Sequence, residues 1–372
     1  MRPCASAWKH SGTPCPADPA QRNTSHVDSL SQFALGAAVG VAALGRRAPL
    51  WKAALVGGIC GTLPDLDALI DHGDPIRNMT FHRAESHSLL YLTALSPLVA
   101  RIAAGRSRDH FGRWWLAVFL ALVTHPLLDL MTIYGTQLLQ PFTDHPYAIG
   151  SVFIIDPLVT LPLLGGLIVA GLMRSARRYR ANVIGLALAT VYLGWSVAAQ
   201  ALVTRQVERE LAVQGIAVER LLVTATPFNT LLWRIVAMEP GGAAYHEGFH
   251  SLLDAPGPIR FDRFTSDRAL FDALRGNYGL ERMAWFSHGF FRVALRDGLV
   301  TIADLRMGQE PGYTFEFAVA RGTPNPGFRE IAYETVGSRG DAAALLEWLW
   351  PRIAGSGESP PRAAPPPLTL AP

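Results

Sequence analysis

Long apolar segments separated by short polar ones fill the first half of the chain. There are six such segments. The last four along the chain approach the length of roughly 20 residues that a membrane-crossing helix needs. The first two are shorter and rich in glycine and alanine. The segments are Leu30–Leu44, Leu50–Leu63, Ser88–Ala104, Trp114–Met131, Val152–Met173 and Val183–Val203. Small residues let helix backbones approach closely, so the first two predict an obliquely packed pair, with a buried soluble hairpin as the alternative. The pattern favours an α-helical membrane bundle of about six transmembrane helices.

The pattern changes at about Thr204, after which no apolar run is long enough to cross a membrane. Runs with high strand propensity and amphipathic stretches follow, and Arg296-Asp297-Gly298 supplies a turn between two of the runs. The predicted strands are Leu231–Met238, Phe290–Leu295, Leu299–Leu305 and Tyr313–Ala320, and the predicted helices are Ser266–Leu274 and Asp341–Trp350. We expect a small α+β domain with a mostly antiparallel sheet.

These patterns divide the chain into two tails and two domains. Residues 1–27 are predicted to be a disordered tail, residues 28–203 the transmembrane domain, residues 204–354 the α+β domain, and residues 355–372 a disordered Pro-rich tail. Hydrophobic residues make up 49% of the chain and charged residues 17%, which is too apolar for an ordinary soluble protein. The net charge of +3 is too small to indicate a nucleic-acid partner, so the lipid bilayer is the expected partner.

Basic residues are concentrated in three of the loops that join the apolar segments. They are Arg46, Arg47 and Lys52, then Arg101, Arg106, Arg108 and Arg113, then Arg174, Arg177, Arg178 and Arg180. Cytoplasmic loops carry an excess of Lys and Arg, so these three loops are predicted to be cytoplasmic. The α+β domain then lies outside, which places it in the periplasm if the bundle crosses a bacterial inner membrane.

Acidic and imidazole side chains lie among or beside the apolar segments, where an isolated polar group is costly and usually binds or pairs with something. The seven residues are Asp65, Asp67, His82, His87, His125, Asp129 and Asp156. Segment ends and basic-loop counting place all of them on the outer side. The sequence therefore predicts a single polar site at the outer end of the bundle, and Gln32 in the first segment could face the same cavity.

His125 and Asp129 lie four residues apart and therefore share one helix face, with Thr132 following on a similar face. Asp65-Leu66-Asp67 can supply two carboxylates from a loop-like backbone. Carboxylate oxygens mixed with imidazole nitrogens suit zinc, manganese or iron rather than calcium. A lone His–Asp hydrogen bond for the first pair and a helix cap for the second are the alternatives.

His82 and His87 can share a site only if His82 precedes a helix that His87 begins, because five residues turn an ideal helix by about 140°. Between them, Arg83 could hold an anionic substrate group or neutralise the aspartates. Glu85 could act as a general base or merely favour a helix start. Asp156 precedes Pro157 and is equally consistent with a ligand and with an N-cap.

Several of these stretches resemble a known family. GTLPDLD, HRAESHSLL, THPLLDLMTIYGTQLLQPF and IIDPLVTLPLL are similar to the LexA-regulated inner-membrane family described as metal-dependent hydrolases and likened to zinc phospholipase C and P1 nuclease. The resemblance covers roughly Asp28 to Leu164. It implies metal-dependent ester or phosphoester hydrolysis and places the seven acidic and imidazole residues in the metal cluster. Related branches carry Thr-His where this chain has Ser31-Gln32, which implies that one histidine ligand is absent.

Together these observations predict a membrane-bound hydrolase that acts on an ester or phosphoester, with a lipid or lipid-linked compound as substrate. One or two divalent ions, zinc before manganese or iron, would activate a water molecule, with Glu85 and Arg83 as catalytic residues. Seven candidate ligands exceed the three or four that one zinc ion takes, so either two ions bind or some of the seven hold the ligands. The alternative is a transporter or a metal-stabilised membrane scaffold whose outer domain binds a partner.

Overall fold

The computed structural model describes residues 19–105, 110–323, 327–338, 341–362 and 368, with side chains from residue 29 onward. The first half of the described chain is helical. Its helices are α1 (Pro19–Leu44), α2 (Leu50–Thr62), α3 (Pro75–Phe81), α4 (Leu89–Ala104), α5 (Phe111–Met131), α6 (Pro157–Leu172) and α7 (Arg178–Val213). Helix α1 begins ahead of the predicted boundary at residue 28. Residues 1–18 of the predicted first tail, and residues 363–367 and 369–372 of the second, lie outside the described ranges.

Each of the six predicted membrane segments overlaps a helix, namely α1, α2, α4, α5, α6 and α7, but the fifth segment was predicted to start at Val152 and α6 begins at Pro157. In the part of the chain that the structure describes, α5 and α7 are long and apolar enough to cross a membrane, and α2 and α6 are shorter apolar helices. Residues Pro75–His87 and α4 together form a third candidate span, bent by 55° at its break. A helical first half with two or three candidate membrane spans is therefore confirmed for the described residues, and crossing by all six segments stays a prediction.

Helices α1 and α2 pack with their backbones in contact, as their small residues predict. A Cβ built on Gly57 would lie 2.2 Å from the carbonyl oxygen of Gly36, and one built on Gly61 would lie 2.5 Å from the carbonyl oxygen of Gln32. No side chain larger than hydrogen fits at that separation. The close approach fixes the position of the end of α2, from which the candidate site begins.

The second half of the described chain contains two four-stranded antiparallel sheets and a short two-stranded one. The strands are β1 (Arg220–Ala225), β2 (Leu232–Met238), β3 (Ala244–Ser251), β4 (Phe261–Thr265), β5 (Phe291–Arg296), β6 (Leu299–Asp304), β7 (Gly308–Gln309), β8 (Gly312–Tyr313), β9 (Glu316–Gly322) and β10 (Phe328–Thr335). The strand orders are β1-β2-β3-β4, β10-β9-β6-β5 and β7-β8. The predicted antiparallel sheet is confirmed, but the single strand predicted for Tyr313–Ala320 is divided between β8 and β9.

Helices α8 (Arg268–Ala273), α9 (Tyr278–Phe286) and α10 (Ala342–Ile353) complete this half. Helices α7 and α3 are among the elements that join it to the bundle. Helix α7 continues past residue 204 and packs Val203 and Val207 against Trp233 of the first sheet. Helix α3 packs Ile76 and Met79 into the core that contains α9 and the second sheet. The connection between α3 and α4 is therefore supported from the sheet side, and it carries part of the candidate site.

Candidate metal centre

Helix α5 contributes His125 and Asp129, which its periodicity places on one face. Both side chains are buried, with 0% and 1% exposure. Nδ1 of His125 lies 2.6 Å from the carbonyl oxygen of Gly61 at the end of α2. Because a carbonyl oxygen only accepts hydrogen bonds, Nδ1 carries the proton and donates it. In the neutral imidazole, Nε2 of His125 is then a bare acceptor that faces the interior of the site.

His87 lies in the short 3-10 turn Glu85–His87 that precedes α4, and it is fully buried. Its Nδ1 lies 2.8 Å from the hydroxyl oxygen of Ser86, and that hydroxyl donates to Oδ2 of Asp67 at 2.5 Å. The single hydroxyl proton is directed at the carboxylate, so the Ser86 oxygen accepts from Nδ1 of His87. As at His125, the hydrogen bond at Nδ1 fixes the orientation of the ring. Nε2 of the neutral imidazole of His87 then faces the interior of the site without a proton.

Asp65 and Asp67 lie in the 3-10 turn Pro64–Leu69 that follows α2. Proline at the first position and the close α1–α2 contact hold this turn against the end of α5. Oδ1 of Asp65 and Oδ2 of Asp129 are both buried and accept no hydrogen bond of good geometry from the described residues. A buried carboxylate oxygen without a donor is costly, so each needs a positive partner.

These acceptors converge on one point. Nε2 of His87, Nε2 of His125, Oδ1 of Asp65 and Oδ2 of Asp129 all lie within 4.8 Å of one another. The two nitrogens are 3.1 Å apart, and the four nitrogen–oxygen distances are 3.2–3.4 Å. A regular tetrahedron with edges of about 3.3 Å has its centre about 2.0 Å from each corner, the distance at which nitrogen and oxygen ligands hold zinc. The residues present therefore fit a small divalent metal ion.

The other oxygen of Asp129 is held by two buried side chains. Arg83 Nη2 lies 3.1 Å from Oδ1 of Asp129, and Gln32 Nε2 donates to the same oxygen at 2.9 Å. Arg83 also donates from Nη1 to the hydroxyl of Thr132 at 3.3 Å. The arginine thus neutralises an aspartate, one of the two roles that the sequence left open. Gln32, which the sequence placed beside the same cavity, orients Asp129 through its amide.

Arg83 lies in the connection between α3 and α4 and has a φ of 64°, which is unusual for a residue with a side chain. Its backbone N–H donates to Oδ2 of Asp67 at 2.9 Å, and its carbonyl accepts from the N–H of Gln137 at 2.9 Å. Strained backbone of this kind persists where neighbouring contacts fix it and is concentrated at functional sites. The backbone conformation of Arg83 places its side chain and that of His87 on opposite sides of the carboxylate of Asp129.

Asp67 and His82 form a second pair beside the first group. Nδ1 of His82 donates to Oδ1 of Asp67 at 2.8 Å, and the two residues share a possible metal-holding group with Asp65. Burial disfavours the charged carboxylate of Asp67, but the hydrogen bond and charge of His82 outweigh it and lower the pKa of Asp67 to about 2. The pair is at hydrogen-bond distance, closer than two ligands of one ion lie. In this structure Asp67 orients His82 and, through Ser86, His87.

The structure places the remaining two predicted site residues apart from these groups. Asp156 caps α6, where its carboxylate accepts from the N–H of Leu158 at 2.9 Å and from the hydroxyl of Tyr192 at 2.7 Å. Glu85 begins the turn before α4 and is exposed. Its catalytic role stays a prediction. The carbonyl of Gly61 was not predicted as part of the site, because a backbone atom leaves no mark in a pattern of side chains.

The hydroxyl of Ser86 yields a prediction, since it connects His87 to Asp67. Replacing it (Ser86→Ala) leaves Nδ1 of His87 with only Oδ2 of Asp67 at 3.6 Å. We expect metal affinity to fall about 10–100-fold, as when other groups that orient a metal-bound histidine are removed. Competition with a chelator of known affinity measures the change. Ser96→Ala is the matched control, because it removes the hydroxyl of a buried serine that contacts Trp115 away from the cluster.

Residues 27–203 match the family model described as YdjM inner membrane protein. The first half of the chain is therefore similar to the YdjM family. The resemblance to an inner-membrane family is thereby confirmed, and the match contains every residue of the two metal-holding groups. The YdjM match and the apolar helices together support a membrane location for the protein.

One curated protein also matches part of the chain. The Bacillus subtilis (strain 168) protein named uncharacterized protein YfhP is 24% identical over 150 residues. The match covers 38% of this chain and 45% of that protein, so the chain spans less than half of that relative's length. No solved structure matches the chain.

Proposed function

We propose that the protein is a membrane-bound, metal-dependent hydrolase that cleaves an ester or phosphoester. Asp65, His87, His125 and Asp129 would hold one divalent ion, with zinc as the best fit to two nitrogens and two oxygens in a tetrahedral arrangement. The observation that carries the proposal is the convergence of two imidazole nitrogens and two carboxylate oxygens. The nitrogen–nitrogen and nitrogen–oxygen distances are 3.1–3.4 Å, and the two buried oxygens accept no hydrogen bond of good geometry from the described residues. A divalent cation bound there supplies a Lewis acid that lowers the pKa of water and polarises a carbonyl or phosphoryl oxygen.

The mouth of the site lies on the side of Asp65. The side chain of Asp65 is 18% exposed, whereas those of His87, His125 and Asp129 are at most 1% exposed. His82 stands at this mouth with 24% of its side chain exposed, and its Nδ1–H is held by Asp67. That hydrogen bond leaves Nε2 able to take a proton from water or return one to a leaving group. His82 is therefore the proposed general acid–base residue, and Asp67 sets its tautomer.

The surroundings of the mouth favour a lipid substrate. Leu66, Leu69 and Ile70 follow Asp65 in the same turn and are 55%, 82% and 57% exposed. Phe142, in the loop after α5, is 80% exposed. Large apolar side chains exposed beside a polar site are typical of contact with lipid. A phospholipid or lipid-linked ester whose headgroup lies at the depth of Asp65 would reach the site without leaving the membrane.

The proposed orientation follows from the basic loops. All six predicted segments would cross the membrane, with their Arg- and Lys-rich connections in the cytoplasm. The mouth of the site and the sheet domain would then lie on the periplasmic side. In this arrangement α3, which packs against α9, connects the membrane site to the periplasmic domain.

A metal-stabilised scaffold is the second candidate function, and the completeness of the ligand set favours it. Four protein ligands around one ion are typical of structural zinc sites, whereas catalytic sites keep an open position. In that case the ion would hold the 3-10 turns to α5, and the sheet domain would bind a partner. The ligand geometry supports both functions, so hydrolysis itself must decide between them.

The deciding experiment measures hydrolysis by the full-length protein purified in a neutral detergent. Nitrophenyl phosphodiesters, nitrophenyl esters and a bacterial phospholipid mixture are the substrates. We expect activity that a chelator removes and zinc restores. In His82→Gln we expect kcat to fall about 100-fold, the usual contribution of an acid–base residue, with metal content unchanged. Asp156→Asn is the control, and its activity should match that of the unmodified protein. Bound metal with no hydrolysis of any substrate would overturn the hydrolase and favour the scaffold.

A further inference from the structure

A cavity of 410 Å³ lies where the bundle meets the sheet domain. Its walls come from the loop that follows α5, from α7, from β1, from the turn between α9 and β5, and from the residues between β6 and β7. Ile133, Leu222 and Phe290 form part of an apolar wall, and His145, His288 and Arg306 supply polar groups. Ligand pockets commonly have this volume and this mixture of a large apolar surface with a few polar groups. None of the residues proposed to hold a metal lines it.

Arg306 is a buried charged residue whose donors are incompletely used. It is 3% exposed, and its Nε and Nη2 bind the carboxylate of Asp304 at 3.0 and 2.7 Å. Its Nη1 is buried and has no acceptor among the described residues. A buried guanidinium N–H without an acceptor is costly, and guanidinium groups bind phosphate and carboxylate oxygens well. The third nitrogen of Arg306 is therefore available to an oxygen of a bound molecule.

Two histidines lie on the same cavity. The rings of His145 and His288 have centroids 4.8 Å apart, and Nε2 of His288 lies 2.9 Å from the carbonyl oxygen of Pro146. That contact anchors His288, while His145 is exposed at the surface. His145 thus adds an N–H donor near the entrance, and Arg306 supplies one at the buried end.

We propose that this cavity binds a phosphate group, with Nη1 of Arg306 as its buried donor. The apolar wall would contact the uncharged part of an amphiphilic ligand. Gln200 and Thr204 line the cavity from α7, the helix that also carries a candidate membrane span. The cavity is therefore placed where a phospholipid headgroup could enter from the membrane and free phosphate from solution. The inference does not depend on the proposed hydrolase, because it uses neither its ligands nor its acid–base residue.

Binding to the full-length protein in neutral detergent tests the proposal with three probes. They are inorganic phosphate, dihexanoyl phosphatidylglycerol and phosphate-free dihexanoylglycerol. We expect saturable binding of at least one phosphate-containing probe and weak binding of dihexanoylglycerol. Arg306→Gln removes the donor, and Thr204→Trp fills the cavity from a residue whose hydroxyl bonds only within α7 at 2.8 Å. Each should weaken binding about tenfold or more. Arg275→Gln, which changes an arginine that is 72% exposed, should bind within about twofold of the unmodified protein.

The outcomes separate the two sources of phosphate. Binding of phosphatidylglycerol alone supports a membrane lipid as ligand, and binding of inorganic phosphate supports a soluble one. If Arg306→Gln does not fold because Asp304 loses its partner, Thr204→Trp carries the test. Three results would overturn the proposal: no saturable binding of either phosphate probe, binding that both cavity variants leave unchanged, or equal binding of dihexanoylglycerol.

Discussion

The variant His125→Asn should lose its metal almost completely. The imidazole of His125 supplies one of the four converging acceptors, and it also connects α5 to the end of α2 through the carbonyl of Gly61. Removing an orienting group alone weakens a metal site by about 10–100-fold, so loss of a ligand should cost at least about 100-fold. Metal analysis of the purified full-length protein should therefore give close to one zinc per chain before the change and far less than one after it.

Asp156→Asn is the informative control for this prediction. Asp156 is a buried carboxylate that the sequence places in the same cluster, yet in the structure it binds Leu158 and Tyr192 at the start of α6. Its variant should keep the full metal content. Equal metal content in His125→Asn and the unmodified protein would show that His125 is not a metal ligand and would contradict the proposed ligand set. A loss in both variants together with a loss of folded protein would indicate a general effect on packing, which circular dichroism would detect.

Side-chain spacing predicted the part of the site that lies on regular helix. His125 and Asp129 are four residues apart, so an uninterrupted α5 must place them on one face. The approach of Asp65 and His87 to that face depends on two short turns whose conformations no periodicity describes. Asp156 shows the limit of the same reasoning, because an aspartate before a helix-starting proline has the same sequence pattern whether it caps or binds. Only the hydroxyl of Tyr192 and the N–H of Leu158 distinguish the two roles.

The sheet domain shows a different limit to the prediction of structure from the sequence. Strand β2, LWRIVAM, is buried throughout and was predicted within one residue of its start. Strand β3, AYHEGFHS, is almost entirely buried but carries Glu247, which pairs with buried Arg234 at 2.6 Å. A buried ion pair places charged residues at core positions, so the alternation that identifies a strand disappears. Strands β4 and β10 have mixed exposure and lie at the sheet edges, where packing constrains the sequence least.

The positions of the proposed ligands on α5 depend on contacts with helices α1 and α2, which carry none of the four ligands themselves. Gln32 on α1 reaches Asp129, and Gly61 on α2 reaches His125, so both helices must keep their positions relative to α5. The α1–α2 separation is set by glycines whose backbones touch. Metal binding should therefore depend on residues that contact no ligand.

The variant Gly57→Ala should disrupt the bundle more than any other single methyl group added to it. The new Cβ would lie 2.2 Å from the carbonyl oxygen of Gly36, and neither backbone can yield without separating α1 from α2. Overpacking of this kind costs about 3 kcal/mol. The separation would also draw the carbonyl of Gly61 from His125 and the amide of Gln32 from Asp129. We expect a lower thermal unfolding temperature together with reduced metal content.

Gly194→Ala is the matched control, since it makes the same substitution in a helix. A Cβ on Gly194 in α7 would meet nothing within 4 Å, and alanine favours a helix over glycine by about 1 kcal/mol. This variant should be as stable as the unmodified protein or slightly more stable, with full metal content. If Gly57→Ala behaved like Gly194→Ala in both measurements, α1 and α2 could not be packed backbone to backbone. The contacts of Gly61 and Gln32 with the metal centre would then lose their structural basis, because both depend on that packing.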